Sequence, residues 1–284
     1  MAKILKKEVL TPQIKLMVID APWVACKAKP GQFVVLRINE QGERIPLTIA
    51  DFGPQEGTVT IIFQEVGKTT MMLGELEEGD EVLDFIGPLG KEIEEKYFGH
   101  VVCVGGGVGI APTYPKARAF KEKGNRVTSI IGARSSNLLF WEDKMREVSD
   151  ELFVTTDDGT YGEKGFVTQV LERVLNKDKV DLVVAVGPVM MMKMVSLLTE
   201  KYSIPTLVSL NPIMVDGTGM CGCCRVTVGG KCKFTCVDGP VFDGHQVNFD
   251  ELMARQRIYL EEEKRALDSW LMEKEKEEAT YHVS

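Results

Sequence analysis

The sequence has no basic excess, no long apolar run and no leader-like N-terminus, and each shortage excludes something. Its 34 Lys and Arg are outnumbered by 42 Asp and Glu, which leaves a formal charge of −8. Nucleic acid is therefore excluded as the main partner, because such binding draws on a basic face that neutralises phosphates. A membrane-spanning helix needs roughly 18 to 20 consecutive apolar residues, and no such run occurs. The opening MAKILKKEVLTPQIKLMVID alternates apolar with charged residues and lacks the uninterrupted apolar core of a signal peptide. A soluble, cytoplasmic protein with no membrane partner is expected.

Two common nucleotide signatures are also missing. EVGKTTMM (65–72) offers Gly67, Lys68 and Thr69, but a P-loop would need its first glycine where Ile62 stands. What remains is a Gly-Lys-Thr-Thr turn able to present N–H groups, hydroxyls and one ammonium to phosphate, or a plain surface turn. VVCVGGGVGIAP (101–112) likewise departs from G-x-G-x-x-G, because Ile110 occupies the third glycine position. It still reads as buried strand, glycine turn and helix start with Pro112 in the first turn, a geometry that brings N–H groups to a diphosphate. ERIPLTIAD (43–51) places Arg44 and Thr48 near the end of a strand stiffened by Pro46. That is suitable for a phosphate and a ring edge, or for an ordinary edge strand.

The chain is long enough for two or three cores, at 284 residues. Residues 1–98 carry short strand-like runs such as QFVVLRI and TVTIIFQEV between Gly, Pro and acidic turns, which predicts an antiparallel barrel or sandwich. Residues 99–210 alternate continuous apolar runs with helical stretches, which predicts a parallel sheet with helices on both faces. Residues 211–248 are dominated by Cys and Gly, and residues 249–284 read as a charged helical tail.

Seven cysteines are present, and five of them fall in DGTGMCGCCRVTVGGKCKFTCVDGP (216–240). In a reducing compartment this clustering suggests a metal site more than disulfides. Zinc would pair Cys221-x-x-Cys224 with Cys232-x-x-x-Cys236, across only seven intervening residues. An iron–sulfur site of the C-x4-C-x2-C type would take Cys221 and Cys224 as second and third ligands and Cys236 as fourth. Counting back four intervening residues from Cys221 lands on Asp216. Asp216 is then either the first ligand or a turn residue, with Cys223 or Cys232 as ligand instead.

With PGQFVVLR, RIPLTIAD, VGKTT, GGGVGIAP, TDDGTYGEKG, VGP and CVDGPVF in this order, the chain resembles the ferredoxin reductase-type electron-transfer subunits. Members carry FAD and a [2Fe–2S] cluster, and the resemblance spans nearly the whole chain. Two branches are similar: the electron-transfer subunits of NAD-linked dihydroorotate dehydrogenase, and the small subunits of NADH-dependent reduced ferredoxin:NADP+ oxidoreductases. In the second branch an aspartate resembling Asp216 replaces the first cysteine, which favours it.

The resemblance implies an FAD-binding β-barrel, a Rossmann-like α/β domain for NAD(H) and a small iron–sulfur domain. It implies that Arg44, Pro46, Leu47, Thr48, Ile62, Phe63, Gln64, Gly67, Lys68, Thr69 and Thr70 hold FAD. Gly106, Gly107, Gly109, Pro112, Gly132, Arg134, Asp157 and Asp158 would face the dinucleotide, and Asp216, Cys221, Cys224 and Cys236 would bind the cluster. The implied activity is an oxidoreductase subunit acting on NAD(P)H with an iron–sulfur acceptor. Its partner would be a larger flavin and [4Fe–4S] subunit that handles NADP(H) and ferredoxin in electron bifurcation. Such chemistry belongs to cofactors, so His100, His245 and His282 receive no catalytic role. Where many relatives carry Cys-Gly-Pro, this chain has Val186-Gly187-Pro188.

Overall fold

Apolar alternation in the first third of the chain dictates strands with two distinct faces. A computed structural model describes residues 1–281; His282 lies outside them. Strands β1 (Ala2–Thr11), β2 (Ile14–Asp20), β3 (Phe33–Arg37), β4 (Ile45–Gly53), β5 (Thr58–Gln64), β6 (Glu81–Val82) and β7 (Asp84–Leu89) form one antiparallel sheet. Their order is β6-β1-β2-β5-β4-β3-β7, and the sheet curls into a nearly closed barrel. Helices α1 (Pro22–Ala25) and α2 (Lys68–Glu75) interrupt it.

Both faces of β2 and β5 are covered. Met17, Ile19, Val59, Ile61 and Phe63 fill the barrel. The alternate residues Ile14, Leu16 and Ile62 enter a second core shared with the domain that follows. Leu16 stands opposite Ile62 in the β2–β5 ladder, so the register that fills the barrel also makes its docking face.

Continuous apolar runs produce the second layer, because a parallel strand is buried on both sides. Its elements are β8 (His100–Gly106), α3 (Ile110–Glu122), β9 (Arg126–Ala133), α4 (Glu142–Glu147), β10 (Glu151–Thr156), β11 (Glu163–Lys164), α5 (Val167–Lys177), β12 (Leu182–Val186), α6 (Val189–Lys201) and β13 (Thr206–Ser209). Val102 and Val104 of β8 face the core built with α5 and α6. Val101 and Cys103 face the opposite core, with Ala117 and Phe120 of α3. Asp51 on β4 accepts an ion pair from Arg118 of α3 at 2.8 Å and lies 3.6 Å from Lys144 of α4, which fixes barrel against sheet.

The remaining elements are β14 (Arg225–Val228), β15 (Lys231–Phe234), α7 (Thr235–Asp238), β16 (Val241–Asp243), α8 (Phe249–Arg255) and α9 (Leu260–Tyr281). Gly229 and Gly230 take φ of 56° and 72°, the left-handed pair that a tight two-residue hairpin between β14 and β15 requires. Strand β16 pairs antiparallel with β13, so the sheet order becomes β11-β10-β9-β8-β12-β13-β16. The parallel sheet anticipated from sequence thus ends in an antiparallel strand drawn from the cysteine-rich stretch. The charged tail divides into two helices. Phe249 and Leu252 of α8 are buried in the core beneath α6, while Lys274 of α9 pairs with Glu75 of α2.

No helix among the described residues is long and apolar enough to cross a membrane.

Candidate functional site

A cleft of about 1090 Å³ opens where barrel, parallel sheet and cysteine-rich stretch meet, and all three contribute walls. The glycine turn after β8 forms its floor. Gly107 has φ 54° with no atom within 4 Å of where a Cβ would lie, so its backbone faces open space. At Gly109 a Cβ would sit 2.3 Å from the Val186 carbonyl oxygen and 2.8 Å from Gly187 Cα, so this position packs backbone on backbone. Ile110, the first residue of α3, donates its N–H back to the Gly107 and Val108 carbonyls through the 3-10 turn Gly107–Gly109, and the helix dipole adds positive potential at this end. Gly106, Gly107, Gly109 and Pro112 all line the cleft.

The next wall is the paired ends of β9 and β10. Gly132, Arg134 and Asp157 line the cleft, whereas Asp158 does not. The Asp158 carboxylate accepts from the Thr160 N–H at 2.9 Å and its hydroxyl at 2.7 Å, and these bonds hold its carboxyl below the usual carboxylate range. The Thr160 hydroxyl in turn accepts from the Ser136 N–H at 2.9 Å, stitching the two loops together.

On the barrel side Pro46, Thr48 and Gln64 line the cleft. Leu47 and Phe63 point into the barrel core and Ile62 into the core beneath the second domain. Arg44 is half exposed and reaches Asp84 at 3.9 Å. Gly67 precedes α2 with Lys68 as its first residue; the Thr70 hydroxyl accepts the Gly67 N–H at 3.1 Å, and Thr69 donates to Glu43 at 3.1 Å. Of the residues expected around FAD, the structure gathers three on the cleft wall; Leu47, Ile62 and Phe63 lie in the cores behind those strands, and Arg44 and Gly67–Thr70 are not among the lining residues.

Sequence reasoning missed Phe33, Met190, Met191, Met194 and Met214 as cleft residues. A signal existed for two of them: Met190 and Met194 are spaced four apart at the start of α6, which puts both on one helix face.

The cysteines separate by burial. Cys224 and Cys236 are 1% and 2% exposed, and their Sγ atoms are 3.2 Å apart. Burial, with the Cys224 contact next, pushes the Cys236 thiol up to about 12. The pair packs with Phe33 and Val35 of β3, Leu89 and Met214. Asp216 is half-buried; its carboxylate accepts the Thr218 N–H at 2.9 Å and the Cys221 N–H at 2.8 Å, and these bonds hold its carboxyl below the usual carboxylate pKa. The Cys223 N–H donates to Cys221 Sγ, and the Cys236 N–H to Cys224 Sγ, each at 3.4 Å. Gly217 and Gly219 have φ of 72° and 87° and lie close against Val35 and Val237, so the loop wraps tightly.

A [2Fe–2S] cluster takes two protein ligands per iron. The side chains present fit that demand as two pairs, Asp216 with Cys221 and Cys224 with Cys236, with N–H groups already directed at two of the sulfurs. The zinc set fails on register. Cys232 stands opposite Thr227, three rungs along the hairpin from the level of Cys224, and among the described residues no three His, Cys, Asp or Glu side chains converge for a single metal ion.

Lys116 and Cys103 lie sealed between α3 and β8, both fully buried. The Lys116 ammonium donates to the Pro112 carbonyl at 2.9 Å. Burial lowers its pKa from 10.5 to about 8 and raises that of Cys103 to about 12. Because the folded chain releases the Lys116 proton earlier than the unfolded one but holds the Cys103 proton longer, stability rises with pH from about 8 to about 9 and levels off above that, where the two effects oppose each other. Lys116→Met is expected to raise the melting temperature at pH 7 and to flatten that rise, as measured by thermal unfolding across pH.

An antiparallel barrel ahead of a parallel nucleotide sheet, with a shared cleft and a cysteine loop at its edge, defines a ferredoxin reductase-like oxidoreductase. Residues 103–197 match the oxidoreductase NAD-binding domain, and residues 211–248 match the iron–sulfur cluster binding domain of dihydroorotate dehydrogenase B. The chain is 49% identical to a dihydroorotate dehydrogenase B (NAD+) electron transfer subunit homolog of Thermotoga maritima, over 95% of each chain. It is 52% identical to an uncharacterised protein of Clostridium beijerinckii, over 94% of this chain and 93% of the other. A solved structure of NADH-dependent reduced ferredoxin-NADP oxidoreductase, studied for flavin-based electron bifurcation, superposes with a TM-score of 0.91 at 48% identity, covering 95% of this chain and 98% of that one. The chain belongs to the dihydroorotate dehydrogenase B electron transfer subunit family, as an oxidoreductase subunit with NAD-binding and iron–sulfur domains.

Proposed function

We propose that this chain is the NAD(H)-reactive electron-transfer subunit of a two-subunit, electron-bifurcating NADH-dependent ferredoxin:NADP+ oxidoreductase. Phe33 carries the reading: it forms part of the cleft wall and, with Met214, also packs on the buried Cys224–Cys236 pair, so the cleft and the cysteine site share side chains. Nicotinamide would supply electrons as a hydride pair, FAD can take that pair and release it one electron at a time, and a [2Fe–2S] cluster accepts the single electrons.

The chain's own residues bind, orient and exclude water. The N–H groups of the Gly106–Gly109 turn and the positive end of the α3 dipole receive the dinucleotide's diphosphate, with Pro112, Gly132, Arg134 and Asp157 lining its path. Asp158 supports that wall by tying the β9 and β10 loops together. Pro46, Thr48 and Gln64 meet the flavin, and the Gly67–Thr70 turn offers N–H groups at the start of α2. Leu47, Ile62 and Phe63 lock those strands in place, and Arg44 supplies positive charge at their outer end. Val186-Gly187-Pro188 brings no thiol to the cleft, so no cysteine there handles a proton. Asp216, Cys221, Cys224 and Cys236 hold the cluster; carboxylate for thiolate keeps the formal charge at that position. Cys223, whose carbonyl accepts from Arg255 at 2.9 Å, and Cys232 are left as bystanders.

The partner is a larger flavin and [4Fe–4S] subunit that handles NADP(H) and ferredoxin. Copurification of the native complex, followed by assays with NADH, NADPH and ferredoxin, tests this. A companion that oxidises dihydroorotate instead would assign the chain to the dihydroorotate dehydrogenase branch, and a colourless chain without NADH:dye reductase activity would sink both. Asp216→Cys is expected to retain a [2Fe–2S] cluster with altered electron paramagnetic resonance, and Asp216→Ala to lose most of it. Equal cluster content in Asp216→Ala and the parent would show that Asp216 is only a turn residue.

A further inference from the structure

Among the described residues, two buried side-chain polar atoms lack a hydrogen-bond partner: the hydroxyl oxygens of Thr155 and Thr235. A buried donor left unpaired costs about 1–3 kcal/mol, so each calls for an occupant. Thr155 lies behind Gly132 with its hydroxyl sealed from the cleft. Thr235 is fully buried and immediately precedes Cys236.

The hairpin register fixes where Thr235 points. Arg225 pairs with Phe234, and the next rung closes when the Thr235 N–H donates to the Cys224 carbonyl at 3.1 Å. Residues directly opposite in an antiparallel pair project to one side, with Cβ atoms about 4.5–5.5 Å apart. Arg225 and Phe234 are exposed, whereas Cys224 and Thr235 are buried, so the second rung faces inward. The chain then turns into α7, which returns Cys236 to Cys224 at 3.2 Å between the sulfurs. A buried O–H donor therefore sits on the residue next to Cys236 and across the rung from Cys224, and neither cysteine sulfur is its hydrogen-bond partner.

We propose that Thr235 is a positioning and tuning residue that donates its hydroxyl hydrogen to sulfur of the cluster held at Cys224 and Cys236, and thereby raises the cluster's reduction potential. The inference rests on the ligand set above. Thiolates and sulfides accept but do not donate, and a hydrogen bond to sulfur stabilises the more negative, reduced form.

Thr235→Val keeps the shape and removes the donor, while Thr235→Ser restores it. In the complete chain carrying its cluster, the valine variant is expected to shift the midpoint to more negative values. Poised at the parent midpoint, its ratio of reduced to oxidised cluster falls roughly tenfold, the scale of one hydrogen bond to a charged group. The iron–sulfur stretching bands of the parent and the serine variant shift in deuterium oxide by resonance Raman, and the valine variant loses that shift. An intact cluster with unchanged potential and unchanged bands in Thr235→Val overturns the proposal and leaves the hydroxyl to a buried water. A parent chain that takes up no cluster overturns the ligand assignment instead. Should the valine variant assemble no cluster, Thr235→Ala supplies the same comparison.

Discussion

Gly109→Ala is expected to abolish NADH binding, weakening affinity at least a hundredfold by fluorescence titration, and to lower stability by about 2–4 kcal/mol in denaturant unfolding. The added methyl would lie 2.3 Å from the Val186 carbonyl oxygen and 2.7 Å from its carbonyl carbon. Both are backbone atoms of a strand buried in the centre of the sheet, so neither can retreat by rotating a side chain. The glycine turn must move instead, and it carries the N–H groups and the start of α3 with it. Gly106 is the informative contrast, because a methyl there meets the Met191 sulfur at 2.4 Å, the mobile end of a flexible side chain. Gly106→Ala should cost less than a tenth as much in affinity. Equal losses at the two positions would show that backbone contact with β12 is not what holds the turn.

Cys224→Ala is expected to remove the cluster, leaving less than a tenth of the parent's iron and no cluster signal in electron paramagnetic resonance. NADH:ferricyanide reductase activity, which needs only nicotinamide and flavin, should persist. Cys224 has no substitute. Cys232 is three rungs away, and Cys223 lies on the adjoining residue, whose carbonyl is held by Arg255. Cys223→Ser should retain the cluster and its potential. A Cys223→Ser variant without iron, beside a Cys224→Ala variant with it, would redraw the ligand set.

The glycine turn between strand and helix was legible because a close approach of backbone to backbone needs glycine, and Gly109 packs directly on Val186 and Gly187. The cysteine-rich stretch was legible because cysteine is a rare residue and its clustering shows in the sequence itself. Phe33 and Met214 were not, because an apolar side chain on a cleft wall has the same local pattern as one in a core, and only tertiary structure separates them. Ile62 and Phe63 illustrate the reverse: neighbours on one strand face two different cores, as period-two alternation dictates. The edge strand β16 escaped notice because three residues carry no measurable periodicity.

That short strand gives the cysteine-rich stretch an architectural duty separate from redox chemistry. It closes the outer side of β13, whose backbone groups pair with it from Leu207 to Ser209. A chain cut before residue 211 to isolate the nucleotide domain would bare that strand, including the fully buried Val208. An open, apolar strand invites pairing with a neighbouring molecule. Such a fragment should precipitate rather than behave as a free-standing domain, and anyone seeking to transplant the nucleotide half into another protein would need to bring β16 along.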